Sequence, residues 1–471
     1  MSREKELVKN TFILGLGQML PKAISIITLP IVTGMLSKSE FGMYDLISTM
    51  VMLILPIATL QIQSAAFRFL LERRENKKEV KNIITNILTV TISVSVVVSI
   101  ALLFILTYVF ITKLLICIYL ISDIFFITVS QISRGLSKNI DYSISSVLVS
   151  FVNAIGIIVS LFVFSAGLDG VILSMVLANS AGALYLCLRV RIYSYIDFHL
   201  LSKKTVLEML AYSWPMVPNN LSNWVLSLSD RFLITGFCGI ESTAIYAAAN
   251  KIPNLLSMVQ SVFTMAWQEN ASLAVNDKDS KKYYSKMFDK IFTLVFSFTV
   301  LLIGYTPIIF YFLIQGDYDE AYIQMPILIL AMFFYCMASF QGGIYIAHKK
   351  TKSVGITTMI AAAINFLVDI IFIPKFGIVV ASISTLVAYL FLYVFRMFDS
   401  LRFQKLDYNY KKQLLCLVVI IAMLFICGLN TNITNIANII ISTILFILLN
   451  KKLLLNLFLK IKNKKKGENR R

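Results

Sequence analysis

Apolar residues run through this chain in blocks of about 20, the length that carries an α-helix across hydrocarbon. Fourteen such blocks are read, at 11–35, 41–70, 83–110, 112–133, 143–166, 169–188, 207–235, 241–273, 288–314, 321–347, 353–373, 376–395, 413–429 and 435–458. Alternating segments of about ten residues, which membrane-spanning strands require, are absent. The pattern predicts an all-α integral membrane protein with 14 transmembrane helices.

The basic residues test that count. With the N-terminus in the cytoplasm, 36 of the 43 Lys and Arg fall on the cytoplasmic side. Lys38, Lys113 and Lys375 fall outside, and Lys22, Arg68, Arg231 and Lys251 lie within spans. One helix more or fewer would scramble this alternation, so both termini are expected in the cytoplasm. Composition agrees: 58% of residues are hydrophobic, 14% are charged and the mean hydropathy is +0.80. Soluble domains carry about 25% charged residues. The net charge of +18 therefore reads as membrane topology, and no nucleic-acid partner is expected. The six cysteines show no CxxC or Cys/His spacing, so neither a metal site nor a disulfide framework is indicated. The N-terminal stretch runs into the first span without an A-x-A site, and reads as a retained helix.

An internal repeat refines the architecture. "IVTGMLSKSEFGMY" at 31–44 and "LITGFCGIESTAIY" at 233–246 align at Thr33-Gly34 with Thr235-Gly236 and at Tyr44 with Tyr246. Both join an outward helix to an inward one, six spans apart. An even number of spans preserves orientation, so the halves form a parallel repeat about an axis along the membrane normal. The expected organisation is two six-helix lobes, 1–204 and 205–412, followed by 413–471 with two additional helices and a basic tail.

Polar stripes mark four of the spans. Helix 7 carries Asn220, Asn223, Ser227 and Asp230 on one face, and helix 8 carries Tyr246, Asn250, Asn254, Ser257, Ser261, Thr264 and Gln268. Helix 1 shows Gln18, Lys22, Ser25 and Thr28, and helix 2 shows Asp45, Ser48, Thr59 and Gln63. A single Ser or Thr in a span is most often interhelical glue. Continuous stripes on the same two helices of each half, each with a proline and an ionisable group, favour a water-filled cavity. A base at mid-span costs about 2.5–3.5 kcal/mol on insertion scales, which solvation or pairing must offset.

Lys22 and Lys251 lie deep in their spans and are the leading cavity residues. Arg68 is close enough to the cytoplasmic end to snorkel. Asp230 and Arg231 adjoin in the outer third of helix 7, within "SLSDRFLITG". Neighbours at i and i+1 diverge by about 100° on a helix, so they are expected to have different partners. Asp230 is placed for the cavity or Lys251, and Arg231 for a neighbouring helix or the outer headgroups. Asp123 is central in its span, as a coupling-ion contact or as a structural partner. No Walker A, HExxH or GxSxG pattern occurs, and no catalytic residue or cofactor is assigned.

The segment "SDRFLITGFCGIESTAIYAAANKIPNLLSMVQSVFTMAWQENAS" resembles polysaccharide flippases of the multidrug/oligosaccharidyl-lipid/polysaccharide exporter superfamily. The shared features are Ser229-Asp230-Arg231, Tyr246 opening helix 8 and Trp267 toward its inner end. The opening "LPIVTGMLSKSEFGMYDL" is similar to that family's L-x-x-x-E-F-G-x-Y turn at Leu36, Glu40, Phe41, Gly42 and Tyr44. The chain departs from the family at Gln268-Glu269, where a Pro usually follows the Trp.

The resemblance implies translocation of undecaprenyl-pyrophosphate-linked oligosaccharide, of the O-antigen, capsule or exopolysaccharide type, across a bacterial plasma membrane by alternating access. A polysaccharide polymerase and chain-length proteins are its candidate partners besides membrane lipids. Lys22, Arg68 and Lys251 suit the pyrophosphate. Asn220, Asn223, Tyr246, Asn250 and Asn254 suit sugar hydroxyls. A multidrug antiporter or a peptidoglycan-precursor flippase of the same fold is the alternative. Lys22 in place of a helix 1 carboxylate argues against cationic drugs.

Overall fold

The computed structural model describes residues 15, 17, 19–73, 75–275, 277 and 279–468. Gln18 and the first residues of the expected 11–35 span lie outside the described residues. Every element among the described residues is helical. The chain folds as two compact units, Met1–Ala247 and Ala248–Arg471.

The first unit begins with α1 (Met19–Met35), α2 (Lys38–Thr59), α3 (Ile62–Arg73) and α4 (Lys77–Ile105). Then follow α5 (Phe110–Gly135), α6 (Asn139–Phe162) and α7 (Gly167–Val190). After two 3-10 turns, Ile192–Tyr195 and Phe198–Leu200, come α8 (Lys203–Ser213), α9 (Met216–Leu228), α10 (Asp230–Cys238) and α11 (Ile240–Lys251). The second unit takes up the chain within α11 and continues with α12 (Pro253–Ala274), α13 (Ser280–Gly304) and α14 (Thr306–Leu313). It ends with α15 (Asp319–Ala347), α16 (Thr351–Phe376), α17 (Val379–Ser400), α18 (Tyr410–Leu429) and α19 (Asn432–Glu468).

Among the described residues, eleven helices are long and apolar enough to cross a membrane: α2, α4 to α7, α13 and α15 to α19. The other three expected spans fall on α1, on α8 to α10, and on α11 with α12. The structure interrupts each of these. α1 has a turn at Thr28. The expected 207–235 helix is three pieces: Pro215, which lacks the N–H that would continue the ladder, precedes the second, and the third begins at Asp230 after Ser229. The expected 241–273 helix breaks at Ile252, with Pro253 opening the next piece, the position a helix tolerates best for proline. Span 2, expected as one helix over 41–70, divides at Leu60 and Gln61, both left-handed with φ of 47° and 58°. All four helices that carry polar stripes are therefore interrupted ones. Freed backbone groups in a span are tolerated where protein or water re-satisfies them.

Two apolar clusters hold the first unit. One joins Ile62, Ala66 and Leu70 of α3 to Ile83, Ile84 and Ile87 of α4 and to Ile132 of α5. The other joins Ile47, Val51 and Leu55 of α2 to Ile116 and Leu120 of α5 and Ile172 of α7. In the second unit α15 is the most buried span. Phe340 on it stacks on Trp267 at 4.3 Å and meets Phe288 edge-on at 5.5 Å. α18 and α19 expose Leu414, Leu415, Phe425 and Ile433, the composition of a lipid-facing surface.

Candidate functional site

The turn motif that opens α2 sets the geometry. Ser37 Oγ accepts from the Glu40 amide at 3.2 Å, and Glu40 Oε2 accepts from the Ser37 amide at 3.0 Å. This is a capping box, which satisfies two of the orphan donors at a helix start. The second Glu40 oxygen accepts from the Leu168 amide at 3.2 Å, so one carboxylate serves the starts of α2 and α7. Phe41 is fully buried. At Gly42 a Cβ would stand 2.2 Å from the Ile240 carbonyl oxygen, so only glycine lets α2 abut the turn between α10 and α11.

From that contact α8 to α10 run back along α2 in antiparallel order. Arg231 Nε donates to Asp45 Oδ2 at 2.7 Å. Trp224 Nε1 donates to the Thr49 carbonyl at 3.1 Å. Ser213 Oγ donates to the Leu60 carbonyl at 2.9 Å, at the interruption between α2 and α3. The side chains of the interrupted helices thus cover backbone groups on their neighbours.

Arg231 is the centre of a buried charge cluster. Its Nη1 lies 3.4 Å from Asp230 Oδ1 and 3.1 Å from the Ser227 carbonyl in the last turn of α9. Its guanidinium stands 5.7 Å from the Tyr246 ring centroid, within cation–π range. The Tyr246 hydroxyl donates to Asp230 Oδ2. Asp45, Asp230, Arg231 and Tyr246 are all buried. Thr235 Oγ1 and Thr243 Oγ1 are 2.7 Å apart, and the former also donates to the Arg231 carbonyl at 2.7 Å, closing the hairpin behind the charges. Arg231 ties helix 7 to helix 2, one of its two expected roles. Asp230 has its neighbour and Tyr246 as partners despite their adjacency in sequence, because Arg231 is long enough to fold back over its own helix.

The remaining candidates are placed differently. Lys22 and Ser25 on α1 are exposed, as are Asn223 and Ser227 on α9, while Asn220 is half-buried. Lys22 has no ion-pair partner among the described residues. In the second unit Lys251 and Asn250 are half-buried and Asn254 is exposed. Arg68 is exposed on α3, with Nη2 2.6 Å from Glu72 one turn on. Asp123 is half-buried and accepts from Asn179 of α7 at 3.2 Å. Exposed polar side chains in the middle of apolar helices are unsuited to lipid.

Two buried clusters have partners that the sequence did not disclose, although Asp369 itself stands out as an acid embedded in a span. Asp369, fully buried on α16, accepts from Ser384 of α17, whose hydroxyl in turn accepts from Asn365 at 3.1 Å. The i, i+4 spacing of Asn365 and Asp369 was the signal for their partnership. Arg396, which the charge pattern places among the 36 cytoplasmic bases, is instead buried within α17. It donates to the hydroxyls of Thr357 and Thr358, each at 3.0 Å, and to the carbonyls of Ala338 and Val354, each at 3.1 Å. Apolar residues on both sides of it were the signal.

The pattern of the polysaccharide biosynthesis protein family matches residues 7–268, which include the α2 turn motif and the whole charge cluster. The chain belongs to this family. The chain is also similar to an uncharacterized membrane protein of Methanocaldococcus jannaschii, 23% identical over 250 residues. That match spans 48% of this chain and 49% of the relative's length. Among solved structures, the fold is similar to the lipid II flippase MurJ in its inward closed conformation. The TM-score is 0.70 at 17% identity, covering 95% of this chain and 100% of that one. It is also similar to an inward-facing multidrug resistance MATE family transporter of the MOP superfamily, with a TM-score of 0.62 at 13% identity, covering 80% and 98%. A MOP superfamily transporter from Pyrococcus furiosus gives 0.60 at 13%, covering 83% and 94%. At these identities the likeness is one of fold. This member of the polysaccharide biosynthesis protein family is thus a multi-pass membrane protein with the fold of MOP superfamily transporters and flippases.

Proposed function

We propose that the protein flips undecaprenyl-pyrophosphate-linked oligosaccharide repeat units from the cytoplasmic to the outer leaflet of a bacterial plasma membrane, for surface polysaccharide synthesis. In this reading the chain has 14 spans with both termini cytoplasmic. The lobes are 1–204 and 205–412, followed by two further helices within 413–471. One feature supporting the parallel repeat is the place of the interruptions. Thr28 in α1 and Ser229 between α9 and α10 differ by 201 residues, within one of the offset that aligns the two Thr-Gly turns.

The observation that carries the reading is Lys22, a cation without an ion-pair partner among the described residues, exposed in an apolar helix. A diphosphate is a fitting counter-charge. Lys251 and Arg68 serve the same diphosphate as the lobes exchange access, with Arg68 leaving Glu72 to do so. Asn220, Asn223, Asn250 and Asn254 meet sugar hydroxyls. Tyr246 and Asp230 belong to the hinge between helices 2, 7 and 8, and the Asp45–Arg231 pair closes the outer side in the inward state. Asp123 with Asn179 is the candidate coupling site.

A deletion strain tests the reading. Loss of a surface glycan, with the lipid-linked unit retained on the cytoplasmic leaflet, is expected. Lethality in an otherwise wild-type strain would point instead to a peptidoglycan precursor, whose pyrophosphate the same cations suit. Raised drug susceptibility with intact glycan would point to an antiporter.

A further inference from the structure

The segment between α7 and α8 is neither a span nor a plain loop. Arg191 is left-handed, with φ of 58°, and turns the chain sharply off the end of α7. Ile192 then plugs into the apolar core of the first unit. The rest of the segment is bolted to α4 by side chains. Asn82 and Asn86 each donate to the Leu200 carbonyl at 3.0 Å, and Asn86 Oδ1 accepts from the Ser202 amide at 2.9 Å. Thr85 Oγ1 accepts from the Asp197 amide at 2.9 Å and donates to the Tyr195 carbonyl at 3.3 Å. Five hydrogen bonds hold this strap in place as a fixed lip.

Between the lip and helices α4, α5 and α7 is an open cavity of about 440 Å³, lined chiefly by Leu88, Ile92, Phe125, Cys187, Tyr193 and Phe198. Along the lip Tyr193, Ile196, Phe198 and Leu201 are exposed, and the first three border the cavity. They stand among exposed Arg191, Lys203 and Lys204. Arg189 is partly neutralised by Asp141 at 3.4 Å, and Asp197 is the one acid within 191–204. Exposed aromatic and aliphatic groups interleaved with bases are the chemistry of the membrane–water interface, where amphipathic rings sit at headgroup level. Basic clusters there attract anionic lipid.

We propose that this strap and cavity form a binding site for an anionic phospholipid. One acyl chain enters the cavity beside Phe125 and Ile92, and the phosphate meets Arg191, Lys203 and Lys204. The site lies wholly within the first unit and is independent of the transported substrate. The bound lipid would brace the strap, and with it the position of α8, from which the interrupted helix 7 begins.

The full chain in detergent, supplied with phosphatidylglycerol or phosphatidylcholine, tests this by native mass spectrometry of retained lipid. Preferential retention of phosphatidylglycerol is expected. Replacing Arg191, Lys203 and Lys204 by Gln should lower that preference by about fivefold for each base removed. These side chains are exposed, so the triple variant is expected to fold, as gel filtration will register. Thr89→Trp, which fills the cavity, should lower retention of both lipids. A control replaces Lys282, Lys286 and Lys290 of α13 by Gln and should leave the preference unchanged. Equal retention of the two lipids, an unchanged preference in the triple variant, or an equal loss in the control would each overturn the proposal.

Discussion

Asp45 and Arg231, 186 residues apart in the chain, meet at 2.7 Å in a buried ion pair that fastens α2 to α10. Asp230 and the Tyr246 ring complete the environment of the guanidinium. Removing one partner of a buried pair strands the other charge, at a cost of about 3–5 kcal/mol. Asp45→Ala is therefore expected to lower the thermal unfolding temperature of the purified protein markedly. Arg231→Met also takes the guanidinium from Asp230, so Asp45→Ala combined with Arg231→Met should lose less than the sum of the two single variants, because the Asp45–Arg231 interaction is then lost once and not twice. Additive losses in the double variant would show that the two residues act separately.

Arg231→Lys is expected to be nearly as harmful as Arg231→Met. A lysine ammonium is a point charge and cannot span Asp45, Asp230 and the Ser227 carbonyl with one planar fork. The same unfolding measurement checks this, and a wild-type midpoint for the lysine variant would contradict it.

Gly42→Ala tests the close approach of α2 to the α10–α11 turn. A methyl group placed 2.2 Å from the Ile240 carbonyl must displace backbone, and overpacking of this kind costs about 1–3 kcal/mol. Gly236→Ala serves as the control, because nothing lies within 4 Å of a Cβ there. Unfolding midpoints should separate the two variants, with Gly42→Ala the less stable.

In the second unit Trp267 donates to the Phe340 carbonyl at 2.8 Å, and a Cβ on Gly343 would stand 2.5 Å from its ring. Gly343→Ala should therefore destabilise the protein, and Trp267→Phe should partly relieve that defect by shrinking the ring. Equal stability of Gly343→Ala and wild type would contradict the packing described.

Much of this architecture is legible in local pattern. Hydropathy placed the long helices, and the prolines at 215 and 253 announced two of the interruptions. The break at Leu60-Gln61 carried no such signal. Neither residue is one that favours a left-handed backbone, and tertiary contacts with Ser213 hold it. Asp45 was visible as part of a polar stripe, but its partner is on a distant helix, and no spacing rule joins them. Arg396 was misplaced for a related reason. A base near a span end usually snorkels to water, whereas this one is enclosed by the hydroxyls and carbonyls of α15 and α16.

Water access to the polar face is checked by cysteine labelling in a variant without the six native cysteines. Asn223→Cys is expected to react with a water-soluble maleimide, because thiolate forms only where water reaches. Ile155→Cys on α6, exposed like Asn223 but in an apolar setting, should stay unreacted. Equal reactivity of the two positions would contradict a water-filled face on α9.

The central claim is that cations within the spans carry a lipid-linked diphosphate across the bilayer. The direct measurement is flipping of polyprenyl-pyrophosphate-linked oligosaccharide by the purified chain in proteoliposomes. The Lys22→Ala/Lys251→Ala variant, at equal protein level and equal unfolding temperature, should be slowed by about tenfold or more, as expected for losing a charge-assisted contact of ~1.5 kcal/mol. Flipping by that variant at the wild-type rate would contradict the account.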